Sequence, residues 1–244
     1  RAAQEHLKIV NLGATAIGTT VTAAPGYPEL AVKNLAELTG IDFKNSEDLI
    51  AATSDCGAYM TLSSAIKGLA VKMTKVCNDI RLLASGPRCG LKEINLPQLQ
   101  PGSSIMPGKV NPVAAEVANQ ASFLAIGLDT TVMLAASAGQ LELNVMEPVI
   151  TFALYTQMKV MTNACDTLRT KLVEGVTANT ERCKDYVMNS IGIVTLLKPH
   201  FGYQKCAAIA KEGYTTGKSL HQIVVDEQHL MTQAEWDATF NTQN

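Results

Sequence analysis

The residues from Gly102 to Pro112 read Gly102-Ser103-Ser104-Ile105-Met106-Pro107-Gly108-Lys109-Val110-Asn111-Pro112, a short stretch holding two hydroxyls, a lysine, an amide and two glycines. Glycine lets backbone N–H groups approach a ligand closely, and successive N–H groups in a turn form a concavity for an anion. Lys109 adds a cation, and Ser103, Ser104 and Asn111 add neutral hydrogen-bonding groups. Such a segment suits a small carboxylate. The two-residue spacing of Lys109 and Asn111 points both side chains the same way in an extended chain. The same residues also allow a plainer reading, a hydroxyl-rich turn that satisfies its own backbone, with Lys109 solvated and Asn111 only preceding a helix. Glu116 stands one turn into the helix that follows, where an acid complements the helix N-terminus or faces the loop's chemistry.

Helices must position this loop, and an all-α chain is expected. Residues 1–11 read as the end of a truncated helix, about 29–39 as an amphipathic helix, and Ser46 as the cap of a short one. From about Asp55 to Ala84, Leu62, Ile66, Leu69, Met73, Val76, Ile80 and Leu83 recur at alternating spacings of four and three. That heptad-like stripe predicts a long helix with one face buried against others. The segment 87–111 is rich in proline and glycine and lacks periodicity, as functional loops do. Helices are expected again at roughly 112–138 and 147–173. Between Pro112 and Thr170 the charged residues are Glu116, Asp129, Glu142, Glu147, Lys159, Asp166 and Arg169. Helices so weakly charged belong inside an assembly. Asp129, Thr130 and Thr131 are expected to bond between helices there, with Asn144 and Glu147 in a similar part. After Gly175 polar residues return, and Asn179-Thr180-Glu181 and Thr232-Gln233-Ala234-Glu235 look like helix starts, the second a capping box. The expected division is a helical-bundle domain over 1–175, carrying the loop 102–112, and a small helical domain over 176–244.

The chain has 244 residues, 47% hydrophobic and 5% aromatic, with a net charge of −2. An aliphatic, alanine-rich core favours packed helices. The charge leaves no electrostatic footprint for nucleic acid and no basic run for a membrane surface. The apolar stretch around Ala121 to Gly139 is interrupted by Asp129, which argues for a buried helix rather than a membrane span. The six cysteines, Cys56, Cys77, Cys89, Cys165, Cys183 and Cys206, form no C-x-x-C pair. Free, mostly buried thiols in a reducing cytoplasm are expected, rather than a metal centre or a disulfide framework. The opening Arg-Ala-Ala-Gln-Glu-His-Leu, without an initiator Met or targeting segment, reads as a piece of a longer polypeptide.

The Gly102–Pro112 loop resembles the signature of the fumarase/aspartase superfamily, whose members add or remove a small group across a fumarate-type double bond. The resemblance extends through Asn11-Leu12-Gly13-Ala14-Thr15-Ala16-Ile17-Gly18-Thr19, Ser85-Gly86-Pro87-Arg88 and Glu93-Ile94-Asn95-Leu96-Pro97. It covers the chain as the C-terminal part of a longer enzyme. Ala52-Thr53-Ser54-Asp55-Cys56-Gly57-Ala58-Tyr59, Val113 and Gly139 to Pro148 are similar to the ammonia-lyase branch rather than the fumarase branch. Gly108 departs from it, since many of that branch carry Ala before the lysine.

The resemblance implies an all-α long-helix bundle that continues into a homotetrameric core, followed by a small C-terminal helical domain. It implies elimination of ammonia from L-aspartate to give fumarate, with Ser103 as base. Ser104, Lys109 and Asn111 would bind the dicarboxylate or amino-acid substrate, supported by Gly102, Met106 and Glu116. In the family that glutamate pairs with a histidine of a neighbouring subunit. His6, His200, His221 and His229 lie in other contexts and are not assigned to that role. The threonine- and serine-rich carboxylate pocket and the Thr-His pair are expected in a part of the polypeptide that this sequence does not contain. The chain would then hold one wall of the site and be weakly active or inactive alone. No organic cofactor is implied; divalent-ion activation occurs in some members, but nothing here has metal-ligand spacing. The alternatives are a fumarase acting on malate, an argininosuccinate or adenylosuccinate lyase, and a structural protein of the kind found in lens crystallins.

Overall fold

The computed structural model describes residues 1–240, which form two compact units, 1–85 with 96–176, and 86–95 with 177 onward. The expected boundary at 175/176 is therefore incomplete. The segment 86–95 leaves the first unit and joins the second, where its strand finds a partner.

The first unit opens with α1 (Ala2–Glu5), a 3-10 turn (His6–Lys8) and β1 (Ile9–Val10). The expected helix over 1–11 thus ends early, because β1 pairs in parallel with β2 (Lys44–Asn45), with Ile9 opposite Lys44. Between these strands lies α2 (Tyr27–Thr39). Next comes α3 (Leu49–Ser54), capped by Asp48, whose carboxylate accepts from the N–H groups of Ile50 and Ala51 at 3.0 Å. Ser46 is not the cap. Its hydroxyl bonds the backbone of Asp48 instead, because a carboxylate two residues closer already takes the free helix donors.

The bundle itself is α4 (Gly57–Leu83), α5 (Val113–Ser137) and α6 (Glu147–Lys171). Ser63, early in α4, bonds Asp129, late in α5, while Asn119, early in α5, bonds Asn78, late in α4. These contacts run α4 and α5 antiparallel. The turn between α5 and α6 makes a second antiparallel pair, closed by Asn144, whose amide donates to the carbonyls of Ala135 and Ala136 and accepts from Met146 N–H.

The expected stripe on α4 holds at Leu62, Ile66, Met73 and Ile80, which pack against the core, but the most deeply buried positions lie one residue further along. The fully buried positions of α4 are Ser63, Ala70 and Cys77, in line with buried Cys56 just before the helix, while Leu69 and Val76 stay about half exposed. Small side chains let α4 and α5 come close together, and α5 answers with Ala114, Ala115, Ala118, Ser122 and Ala125. By length and composition α5 could cross a membrane; here it packs between α4 and α6 and carries an ion-paired Asp129. Its outer face and that of α6 show Phe123, Leu134, Phe152 and Tyr155 to solvent.

The second unit pairs β3 (Ile94–Asn95) antiparallel with β4 (Thr177–Ala178). Strands of two residues carry no readable alternation, and none was expected. Then follow α7 (Thr180–Met188), α8 (Val194–Thr216), a π-helical turn (Gln222–Glu227) and α9 (Gln233–Phe240). Asn179 precedes α7 without capping it, its amide donating to the Lys92 carbonyl instead. Pro199 and a left-handed Gly202 break α8 into two helices. Trp236 packs with Ile193, Leu197, Ile209, Ile223 and Val224. The capping box is present: Thr232 N–H donates to the Glu235 carboxylate at 2.8 Å, and Glu235 N–H to the Thr232 hydroxyl. The bonds the carboxylate accepts from Thr232 N–H and from the Thr232 hydroxyl, the latter also at 2.8 Å, hold the Glu235 carboxyl below its usual range.

Candidate active site in the Gly102–Pro112 loop

The loop leaves Pro101 and returns to the start of α5, whose first turns are anchored by buried Ala114 and Ala115. Its two ends meet. A Cβ on Gly102 would lie 2.1 Å from the Lys109 carbonyl oxygen, so only glycine permits this approach. The Asn111 amide donates to the Gly102 carbonyl at 2.8 Å. Between the ends, Met106-Pro107-Gly108-Lys109 forms a turn. Lys109 N–H donates to the Met106 carbonyl at 3.3 Å, and Gly108 has φ of +79°. Proline followed by a left-handed glycine is the pattern of a type II turn.

Ser103 is half-buried, and its Oγ accepts from the N–H groups of Ile105 and Met106, both at 3.1 Å. The turn that satisfies its own backbone and the preorganised oxygen are therefore one geometry. Two donors aimed at the oxygen favour its deprotonated form over the hydroxyl. Ser104 and Lys109 are exposed, Ile105 is 87% exposed, and Met106 projects into solvent. The structure brings Gly102, Ser103, Lys109 and Asn111 together through the backbone. It leaves Ser104 and Met106 without side-chain partners among the described residues. Glu116 lies half-buried in the first turn of α5 and bonds no histidine among the described residues.

A cavity of about 440 Å³ in the first unit lies elsewhere. Its lining includes His6, Asn11, Asp55, Tyr59, Thr61 and Glu147. Burial pushes the Cys56 thiol and the Tyr59 phenol up, and the charge of Glu147 adds to both. The sequence predicts a bond between helices for Glu147; the structure places it in the lining of this cavity instead. Among the described residues no group of three or more His, Cys, Asp or Glu is gathered for a metal. All six thiols are free, but Cys89 and Cys165 are exposed rather than buried. His221 rests edge-on against Trp236 with its Nε2 2.8 Å from Gln233, and His229 bonds the Val225 carbonyl.

The bundle carries a second polar group, away from the loop. Asp129 accepts from Ser63, Ser64 and Lys67, and Gln157 donates to Ser63 and to the Ala125 carbonyl. Burial raises the Asp129 carboxyl, but the bonds from Lys67 and Ser63 and the charge of Lys67 outweigh it and bring it below its usual range. This group fixes helix register, as expected for Asp129. Thr130 is exposed.

Comparison with known proteins agrees with the loop. A lyase family model matches residues 1–127 and a Fumarase C C-terminus model matches residues 193–244. The chain is 57% identical over 240 residues to the aspartate ammonia-lyase of Escherichia coli K12, covering 98% of this chain and 50% of that protein. It is 52% identical to the aspartate ammonia-lyase of Helicobacter pylori, covering 99% and 52%. The chain spans about half the length of the curated relatives it matches. Among solved structures, a fumarate lyase:delta crystallin from Brucella melitensis bound to cobalt superposes with a TM-score of 0.92 at 40% identity, covering 98% of this chain and 52% of that one. A class II fumarase from Schistosoma mansoni gives 0.84 at 30% identity, covering 99% and 56%. By its signature loop, its all-α fold and these matches, the chain belongs to the fumarase/aspartase superfamily of lyases.

Proposed function

We propose that the protein is an ammonia-lyase that reversibly converts L-aspartate to fumarate and ammonia, and that this chain supplies the wall carrying its base. The observation that carries the reading is the double acceptance at Ser103 Oγ, from Ile105 and Met106 N–H. Ser103, as alkoxide, takes a proton from the carbon beside the side-chain carboxylate. The electron pair delocalises into that carboxylate as an aci-carboxylate dianion. It then returns to form the carbon–carbon double bond as the carbon–nitrogen bond breaks and ammonia leaves. Lys109 and the free N–H of Asn111 hold a carboxylate, and Ser104 with nearby backbone N–H groups receives the developing charge. Glu116 faces a histidine outside this chain. The likeness to aspartate ammonia-lyases favours ammonia over water as the leaving group.

In this reading the active form is a cytoplasmic homotetramer; the solvent-facing Phe123, Leu134, Phe152 and Tyr155 on weakly charged helices support the burial of these faces in an assembly. A base and oriented donors suffice for this elimination, so the reaction needs no organic cofactor; activation by a divalent ion would act outside the loop. The test is fumarate formation from L-aspartate and from L-malate, with the chain alone and mixed with the N-terminal half of an aspartate ammonia-lyase. Turnover of aspartate in the mixture, lost with Ser103→Ala, is expected. Turnover of malate alone would make the enzyme a fumarase. Assembly without turnover of either would make it a structural derivative.

A further inference from the structure

We infer that Asn111 is a positioning residue for Ser103, through the bond from its side-chain amide to the Gly102 carbonyl. The bond spans 2.8 Å and joins the loop's entry to its exit. The Gly102 carbonyl shares a planar peptide with the N–H of Ser103, so holding that oxygen fixes the plane from which Ser103 departs. The far side of the bond is firm, because Asn111 directly precedes Pro112 and α5, whose Ala114 and Ala115 are buried in the bundle core. The crown of the loop has no such anchor: Ile105 is 87% and Met106 52% exposed. The two N–H groups that meet Ser103 Oγ come from that unanchored crown. The Asn111 amide thus holds the frame within which the Ser103 seat closes.

The residue type follows from this geometry. A carbonyl oxygen accepts only, so the amide nitrogen must face it. An aspartate of the same shape would set a carboxylate against the carbonyl. The amide has two N–H groups; one is spent on Gly102, and the second remains for a substrate carboxylate. Asn111 therefore joins substrate binding to the placing of the base.

The inference rests on the proposed function only for its catalytic part, since the loop geometry can be tested without turnover. Amide hydrogen exchange at Ile105 and Met106 would be followed by NMR in this chain, in Asn111→Ala and in Asn111→Asp, with Trp236 fluorescence reporting that each remains folded. Both variants are expected to exchange these two amides about tenfold faster, relative to amides of α5, as the bonds to Ser103 loosen. Unchanged protection in the Asp variant, which keeps the shape and loses the donor, would overturn the inference. With the N-terminal half added, Asn111→Asp is expected to lower kcat as well as raise KM. A change confined to KM would leave Asn111 a substrate ligand alone. If Ser103→Ala retained full turnover, the proposed function would fail, while the exchange measurement would still decide the role of Asn111.

Discussion

Ser63 lies at the centre of the helical bundle and Ser103 in the loop that leads into it, and each oxygen is a meeting point of hydrogen bonds. Ser63 is fully buried, donates to Asp129 at 2.8 Å and accepts from Gln157 at 3.0 Å. Its proton is committed to a carboxylate, whose charge opposes ionisation of the hydroxyl. Ser103 accepts twice from backbone N–H groups and has no acceptor for its own proton among the described residues. The same side chain is a fixed structural link in one place and a candidate base in the other. The difference lies in which partners face the oxygen: acceptors hold the proton, whereas donors make its loss easier.

The largest effect that could break this contrast is at Ser103 itself. In the mixture with an N-terminal half, Ser103→Ala is expected to lower aspartate turnover by about 10²–10⁴-fold, the usual range for a general base. The urea midpoint of the chain should hardly move, since no bundle contact is lost. Equal turnover in wild type and variant would remove Ser103 from the reaction and leave the two serines alike in being structural.

The next largest effect tests the seat rather than the oxygen. Gly102→Ala puts a methyl group 2.1 Å from the Lys109 carbonyl, so the two ends of the loop must part. A displacement of about 1 Å at a catalytic group costs roughly 10²-fold in rate, and that loss is expected here in steady-state turnover. A loop that kept full activity with alanine at 102 would show that its closed ends do not matter for the base.

At the bundle serine the expected losses are of stability. Asp129→Ala leaves the buried Ser63 hydroxyl without its acceptor and the partly exposed Lys67 without its ion pair, and is expected to cost about 2 kcal/mol by urea unfolding. The pH dependence follows from the Asp129 carboxyl being held below its usual range. A carboxyl depressed in the folded state contributes stability at neutral pH and loses it as pH falls below about 4. The fall in unfolding free energy between pH 5 and pH 3 should therefore be smaller in Asp129→Asn than in wild type. An identical slope in both would show that Asp129 is not depressed by its partners.

These two regions were unequally legible in sequence. The loop was readable because glycine, proline, serine and lysine crowd into a short span, and their chemistry is local: the Met106–Lys109 turn and the Asn111 bond close within ten residues. The bundle was readable as helices but not as a packing. The apolar stripe of α4 packs inward at Leu62, Ile66, Met73 and Ile80, yet Leu69 and Val76 stay about half exposed and the fully buried positions are Ser63, Ala70 and Cys77. Hydropathy marks which side chains avoid water, whereas close helix approach selects those that are small. β3 and β4 escaped notice for a different reason. Their pairing joins residues 94–95 to 177–178, and two-residue strands have too little periodicity to announce a partner that far along the chain. That same pairing is why 86–95 belongs with the second unit.

The smallest effect sharpens the contrast most, because it asks whether every bond in the bundle's polar group contributes. Gln157 is fully buried and gives its amide N–H groups to Ser63 and to the Ala125 carbonyl. Its own carbonyl oxygen has no partner among the described residues, and a buried acceptor left unmatched offsets much of what the donors gain. Methionine has nearly the same length and no acceptor to leave unpaired. Gln157→Met is therefore expected to change stability by less than about 1 kcal/mol, and Ser63 would still donate to Asp129. A loss as large as that of Asp129→Ala would mean that the unpaired oxygen meets a donor in the folded protein, and that the bundle's polar group extends beyond the helices that frame it. A near-neutral result would confine the structural weight to Ser63, Lys67 and Asp129, where one charge organises its donors much as the Ser103 oxygen organises the N–H groups of its loop.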